Sequence, residues 1–169
     1  EEALRDPPTT SVELYDPRLY LEGFEPEQPL ALVEPGDDWE AFHSSTFGAW
    51  QVDMFSYSLP TPLSPLGAGW RGGALKAWER GDEVVAGFSV TFDDDRALEL
   101  CERLPDWFQV HAGAAERVDD AWELERGTLR IGCDEHDVQV AVGPDRATAD
   151  AILALPTRQP PTDDTSDDE

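Results

Sequence analysis

The sequence predicts an α+β fold, an antiparallel sheet of about five or six strands with two or three helices. Val84–Phe92 alternates, with Ala86, Phe88, Val90 and Phe92 on one face, as a half-buried strand does. Ala97, Leu100, Cys101 and Leu104 then recur at the i, i+3, i+4, i+7 spacing of one helical face. Residues 89–97, SVTFDDDRA, match residues 139–147, QVAVGPDRA, at an offset of 50. Each copy reads strand, acidic turn, Asp-Arg-Ala, helix. A duplicated hairpin-plus-helix unit, with both helices on one side of the sheet, is one reading of this match. Chance recurrence of a common helix-start composition is the other.

Residues 1–36 hold Pro7, Pro8, Pro17, Pro26, Pro29 and Pro35 and have no sustained period. They read as a proline-rich extended arm. Its large apolar residues, among them Leu19, Tyr20, Phe24 and Leu32, favour packing over the domain rather than a free linker. Residues 37–155 read as the α+β domain. Asp37 or Asp38 caps a short helix through Trp39, Phe42 and His43. Trp50, Val52 and Met54 alternate with Gln51 and Asp53, which predicts a strand. Leu59–Gly69, with Pro60, Pro62 and Pro65, is a loop.

A strand over 74–80 and the turn Arg80-Gly81-Asp82 lead into the strand of Val84–Phe92. Asp93-Asp94-Asp95 puts negative charge at the next helix N-terminus, and Pro105 is expected to end that helix. Ala121–Glu125 and Thr128–Cys133 are strands around the turn Arg126-Gly127. The turn Asp134–Asp137 precedes a strand carrying Val138, Val140 and Val142. Gly143-Pro144-Asp145 starts a helix, with Pro144 at its first position. Residues 156–169, PTRQPPTDDTSDDE, form a disordered acidic tail, because no large apolar side chain is present to offset the entropy of ordering.

Charge bounds the function. Lys plus Arg is 12 against 37 for Asp plus Glu, a net charge of -25. Residues 66–155 alone hold 19 acids and 9 bases, so the excess is not confined to the tails. Nucleic-acid binding and docking on anionic lipid both need basic surface and are not expected. No apolar run reaches the roughly 20 residues that span a bilayer, so no transmembrane segment is expected. Such acidity suits an extracytoplasmic space or, alternatively, the cytoplasm of a salt-adapted organism, where screening relieves self-repulsion. The chain starts at Glu1 and not at Met, so a cut is expected to have made this start, and a removed signal peptide is one explanation of it. Cys101 and Cys133 permit one disulfide, between the helix stripe and a strand face, or two buried thiols.

The run over residues 67–104 carries Gly69-Trp70, Gly72-Gly73, the Gly81-Asp82 turn, Asp94 and Ala97. In this order it resembles uncharacterised exported or lipoprotein-type α+β domains of bacteria and haloarchaea. The resemblance implies an extracytoplasmic setting and no particular activity.

Chemistry-bearing residues are sparse. Cys133-Asp134-Glu135-His136-Asp137 mixes thiol, imidazole and carboxylate ligands, yet it has the composition of a solvated hairpin turn and lacks a second ligand pair at a metal-site spacing. Asp93-Asp94-Asp95 offers carboxylates to calcium, but the EF-hand spacing is absent and helix capping explains it. Glu40 and His43 have a Glu-x-x-His spacing without the partner motif a di-iron bundle needs. His43-Ser44-Ser45 raises a serine nucleophile, though no G-x-S-x-G accompanies it. No phosphate-cradling loop occurs, and no cofactor, catalytic or metal residue is assigned.

Six tryptophans remain: Trp39, Trp50, Trp70, Trp78, Trp107 and Trp122. Core filling accounts for most of them. Trp50, Trp70, Trp78 and Trp107 lie near element ends and form the candidate partner surface. The expected function is a non-enzymatic extracytoplasmic binding or accessory domain for a protein or envelope partner. The alternatives are a structural subunit whose arm lies across a neighbour, and a hydrolase or metal-dependent enzyme with an unrecognised site.

Overall fold

Seven strands form one antiparallel sheet in the order β1-β2-β3-β7-β6-β5-β4. They are β1 (Glu40–Thr46), β2 (Trp70–Arg80), β3 (Glu83–Phe92), β4 (Glu116–Val118), β5 (Ala121–Leu124), β6 (Gly127–Cys133) and β7 (Asp137–Gly143). Five helices accompany them: α1 (Val12–Tyr15), α2 (Pro17–Glu22), α3 (Ala49–Ser58), α4 (Arg96–His111) and α5 (Arg146–Ile152). The computed structural model describes residues 9–58, 65–93, 95–113 and 116–154, and these counts refer to them. The expected acidic tail, Asp94 and most of the proline loop after α3 lie outside those residues. The class is α+β as predicted, with more strands than five or six.

The β3–β7 register pairs Phe88 with Val140, Ser89 with Gln139 and Val90 with Val138. Ser89 and Gln139 are themselves related by the sequence offset of 50, and each strand of this pair is flanked on its outer side by its own hairpin partner, β2 for β3 and β6 for β7. The helices break that relation. α4 packs with Phe88, Val90, Leu129 and Ile131 on one face. α5 sends Ala149 and Ile152 to the other face, against Val85 and Ala141. Both helices on one side is therefore corrected. A Cβ at Gly143 would lie 3.2 Å from the Ala149 nitrogen, so the glycine eases the tight return of α5 over its own strand. Its counterpart at the same offset is Asp93, whose carboxylate instead pairs with Arg71 at 2.8 Å.

Two local expectations are exchanged. Trp39–His43 enters a strand, not a helix, because residues 40–46 pair along β2 from Glu40–Glu79 to Thr46–Ala74. Residues 50–54 are helical, not a strand. Ala49, Val52 and Asp53 are all fully buried, at the i, i+3, i+4 spacing of an inward helical stripe. The backbone N–H of Gly48 donates to Gln51 Oε1 at 3.0 Å, half of a capping box. The Trp50 N–H donates to Ser11 Oγ at 3.2 Å, so a residue of the arm caps this helix.

Pro105 lies inside α4 and does not end it. It removes one backbone donor, but Trp107 and Phe108 beyond it pack on the core and carry the helix on to His111. Pro144 precedes the cap of α5 instead of opening the helix. Asp145 is the cap, and its Oδ1 accepts from the Thr148 N–H at 2.9 Å. This bond holds the Asp145 carboxyl below its usual range, against the opposing effect of burial.

The arm is not simply extended: its described part carries α1 and α2 before running along the sheet. Val12 joins the core of Phe88 and Trp70, and Leu32 joins that of Trp39 and Trp78. Gln139, fully buried, donates Nε2 to the Ala31 carbonyl at 3.2 Å and accepts at Oε1 from the Ala154 N–H at 2.8 Å. One amide thus ties the arm and the end of α5 to the middle of the sheet. Gly72 and Gly73 admit the close approach on β2, since a Cβ at either would lie 2.1 Å from a backbone oxygen, of Glu27 and Phe47 respectively.

Cys101 of α4 and Cys133 of β6 form a disulfide across a Cα separation of 6.4 Å. Of the two alternatives the sequence leaves open, the bonded one is present. The bridge spans 32 positions, for which loop-closure arguments give about 3–4 kcal/mol.

Candidate partner-binding surface

The four tryptophans singled out in the sequence do not share a surface. Trp70 is 1% exposed and Trp78 2% exposed, so both fill cores and neither can offer a partner surface. Trp70 Nε1–H donates to the Phe47 carbonyl at 2.9 Å, which satisfies its polar edge inside the chain. Trp78 packs with Leu32, Trp39 and Val85. Trp107 is half-buried, 4.4 Å from the Phe55 ring centroid and 4.8 Å from that of His111, and its Nε1–H donates to Ser58 Oγ. Trp50 alone stands out, 57% exposed.

Its neighbours on α3 extend that exposure. Met54 is 51% and Tyr57 59% exposed, and the spacing i, i+4, i+7 puts all three on one outward helical face. α3 is therefore apolar on both sides. A helix of that kind is normally buried all round. Exposed Leu14 and Tyr15 of α1 belong to the neighbouring surface: Tyr15 hydrogen-bonds Asp53 of α3, and its charge state also responds to Tyr57. Burial, then the Asp53 hydrogen bond, push the Tyr15 hydroxyl above its ordinary value, which keeps it a neutral donor. Asp53 also accepts the Gly67 N–H at 2.7 Å, pinning the turn of Leu66–Gly69 under the helix.

The face also lacks exposed charge. Asp53 is the single charged residue of α3 and it is buried. The whole run from Ala41 to Trp70 contains no other Asp, Glu, Lys or Arg, where a chain 29% charged would place about nine. That deficit is visible in the sequence and is the signal that points to this region. Tryptophan positions alone do not.

A cleft of about 670 Å³ adjoins the N-terminal end of this face. Residues 9–11 and 26–29 of the arm form one wall, Thr46, Gly48, Trp50 and Gln51 the other, and Trp70 and Gly73 the floor. Glu13 fixes the first wall by accepting from the N–H groups of Thr9 at 2.8 Å and Thr10 at 2.7 Å. Burial pushes the Glu13 carboxyl up, but these bonds outweigh it and its pKa is lowered.

The residues weighed for catalysis or metal binding lie apart. His43 Nε2 is 3.1 Å from Ser45 Oγ on the exposed strand β1. His111 bonds the Ser58 carbonyl at the end of α4, and His136 sits in the β6–β7 turn. Asp134 Oδ1 accepts from the N–H groups of His136 and Asp137, the geometry of a side-chain-closed turn. Among the described residues no group of three or more His, Cys, Asp or Glu is placed to hold a metal ion. Within the same residues no helix is long and apolar enough to cross a membrane. Comparisons with family models, with curated proteins and with solved structures return no match.

Proposed function

We propose that this protein is a non-enzymatic binding or accessory domain of an extracytoplasmic space, and that it docks a protein partner through the outward face of α3. The carrying observation is the exposure of Trp50, Met54 and Tyr57 on a helix without exposed charge, in a chain of net charge -25. Aromatic residues and methionine are enriched in the cores of interfaces, where charged residues are depleted. A partner that fits has an apolar centre and a basic rim, because the rest of this surface is acidic. The disulfide supports the extracytoplasmic setting, since such bonds persist in oxidising compartments. The resemblance of residues 67–104 to exported domains points the same way. Residues of the arm seat on the chain's own sheet, which favours the helix face over the arm as the docking element.

The test begins with cross-linking in native cells and mass-spectrometric identification of the partner. The purified partner is then titrated against the wild type and the Met54→Glu, Tyr57→Glu double variant. The affinity is expected to fall by about a hundredfold, as loss of two interface anchors does. Equal affinity would reject the α3 face.

A further inference from the structure

We propose that the cleft beside Trp50 is a binding site for a neutral saccharide, with one pyranose ring stacked on the exposed indole. The inference goes beyond the partner-binding reading: the two sites share Trp50, but the cleft adds Ser11, Glu27 and Gln51 where the partner face uses Met54 and Tyr57, so either can fail without the other. At about 670 Å³ the cleft lies within the roughly 300–1,000 Å³ typical of small-molecule sites. Its chemistry is one exposed aromatic plane among small polar side chains. The Ser11 hydroxyl accepts from the Trp50 N–H and keeps its own hydrogen to donate. The Gln51 amide uses Oε1 on the Gly48 N–H and turns its two Nε2 hydrogens outward as donors. Glu27 is the one acidic residue of the lining.

The lining excludes the other ligand classes. No Lys or Arg lines the cleft, so an anionic ligand meets Glu27 and a chain of net charge -25 with nothing to pair with. An extended peptide needs a row of free backbone groups. Here the N–H groups of Gly48, Trp50 and Glu27 and the Gly73 carbonyl are already bonded within the chain. The indole plane and side-chain hydroxyl and amide groups are open to a ligand. A sugar ring presents the matching surface: an apolar C–H face for the indole and hydroxyls around its edge.

Saturation-transfer NMR on the full chain tests this with maltotriose, cellotriose and chitotriose. Trigalacturonate serves as the anionic probe and tetraglycine as the peptide. Transfer to ring protons of at least one neutral trisaccharide is expected, with roughly millimolar affinity. Trp50→Ala is expected to lower that affinity by about tenfold or more. Tyr57→Glu, outside the cleft, leaves it unchanged, which separates this site from the partner face. Absence of transfer to all three neutral sugars overturns the proposal. So does binding that Trp50→Ala does not weaken, or stronger binding of trigalacturonate or tetraglycine.

Discussion

The two ends of the sheet share a strand pattern and are held by different forces. On the β1-β2-β3 side the buried fixings are aromatic, and the ion pairs of Arg71 and Arg80 are partly exposed. Phe47 and Phe88 stack with centroids 4.5 Å apart, and the Trp70 indole is buried and bonded to Phe47. On the β7-β6-β5 side they are ionic. Arg130, 2% exposed, grips Asp120 through both terminal nitrogens, at 2.6 and 2.9 Å, and places Nε 2.6 Å from Asp150 Oδ1. Arg146 adds pairs to Asp119, Asp120 and Asp150. In a chain with 12 cations for 37 carboxylates, these two arginines are occupied by the protein's own acids. The difference is one of burial: one end buries an ion pair at Arg130, and the other fixes its interior with aromatic rings and leaves apolar side chains of α3 facing outward.

If the contrast is real, removing a fixing from each end has a different signature. Trp70→Ala should cost about 3–5 kcal/mol in denaturant unfolding, with little dependence on salt, because it opens a cavity and orphans the Phe47 carbonyl. Arg130→Ala should cost about 3 kcal/mol at low ionic strength, because Asp120 and Asp150 then lose their buried cation and keep only the more exposed Arg146. Molar salt should recover part of that second loss by screening, and none of the first. Equal salt dependence in both variants would erase the distinction. Cys101→Ser with Cys133→Ser should cost about 2–4 kcal/mol, since the bridge ties the helix that follows β3 to a strand of the other end.

The smallest expected effect concerns pH. Burial, partly opposed by the Thr91 hydrogen bond, holds the Asp137 carboxyl above its ordinary value. A folded pKa raised above the unfolded one contributes stability that is full below the unfolded value of about 3.9 and lost as pH rises through the folded value. Asp137→Asn should therefore unfold at a higher temperature than the wild type at pH 7, with the gap closing below about pH 4. A gap that persists at pH 3 would assign the effect to packing instead of charge.

The hairpins and the amphipathic helix were legible because their large apolar residues follow a single period. Phe88, Val90 and Phe92 alternate in β3 and Val138, Val140 and Val142 in β7, although burial there is continuous because both faces are covered, and α4 keeps one stripe through Leu104. Residues 39–58 misled for a physical reason. Trp50, Val52 and Met54 alternate by type, but only Val52 is buried, and the buried set Ala49, Val52 and Asp53 includes a carboxylate that a hydropathy pattern counts as outward. Trp39, Phe42 and His43 have helical spacing, yet Phe42 sits at a β-bulge between Ala41 and His43 and is exposed. The side on which each helix packs was not legible either, because no apolar period reports which way the chain turns after β3 and after β7. For the candidate surface, tryptophan positions found Trp50. Met54 and Tyr57 emerge only when the run of Ala41–Trp70 is weighed for missing charge.

The partner face of α3 is tested most directly by placing one photo-cross-linking residue at Tyr57 and, in a separate sample, at Val118 of β4. These positions are 59% and 46% exposed, the first on α3 and the second on the edge strand β4. After irradiation in native cells, a discrete covalent adduct to one protein is predicted from position 57 and none from position 118. An adduct from position 118 alone, or equal yields from both, would contradict the assignment of the binding surface to α3.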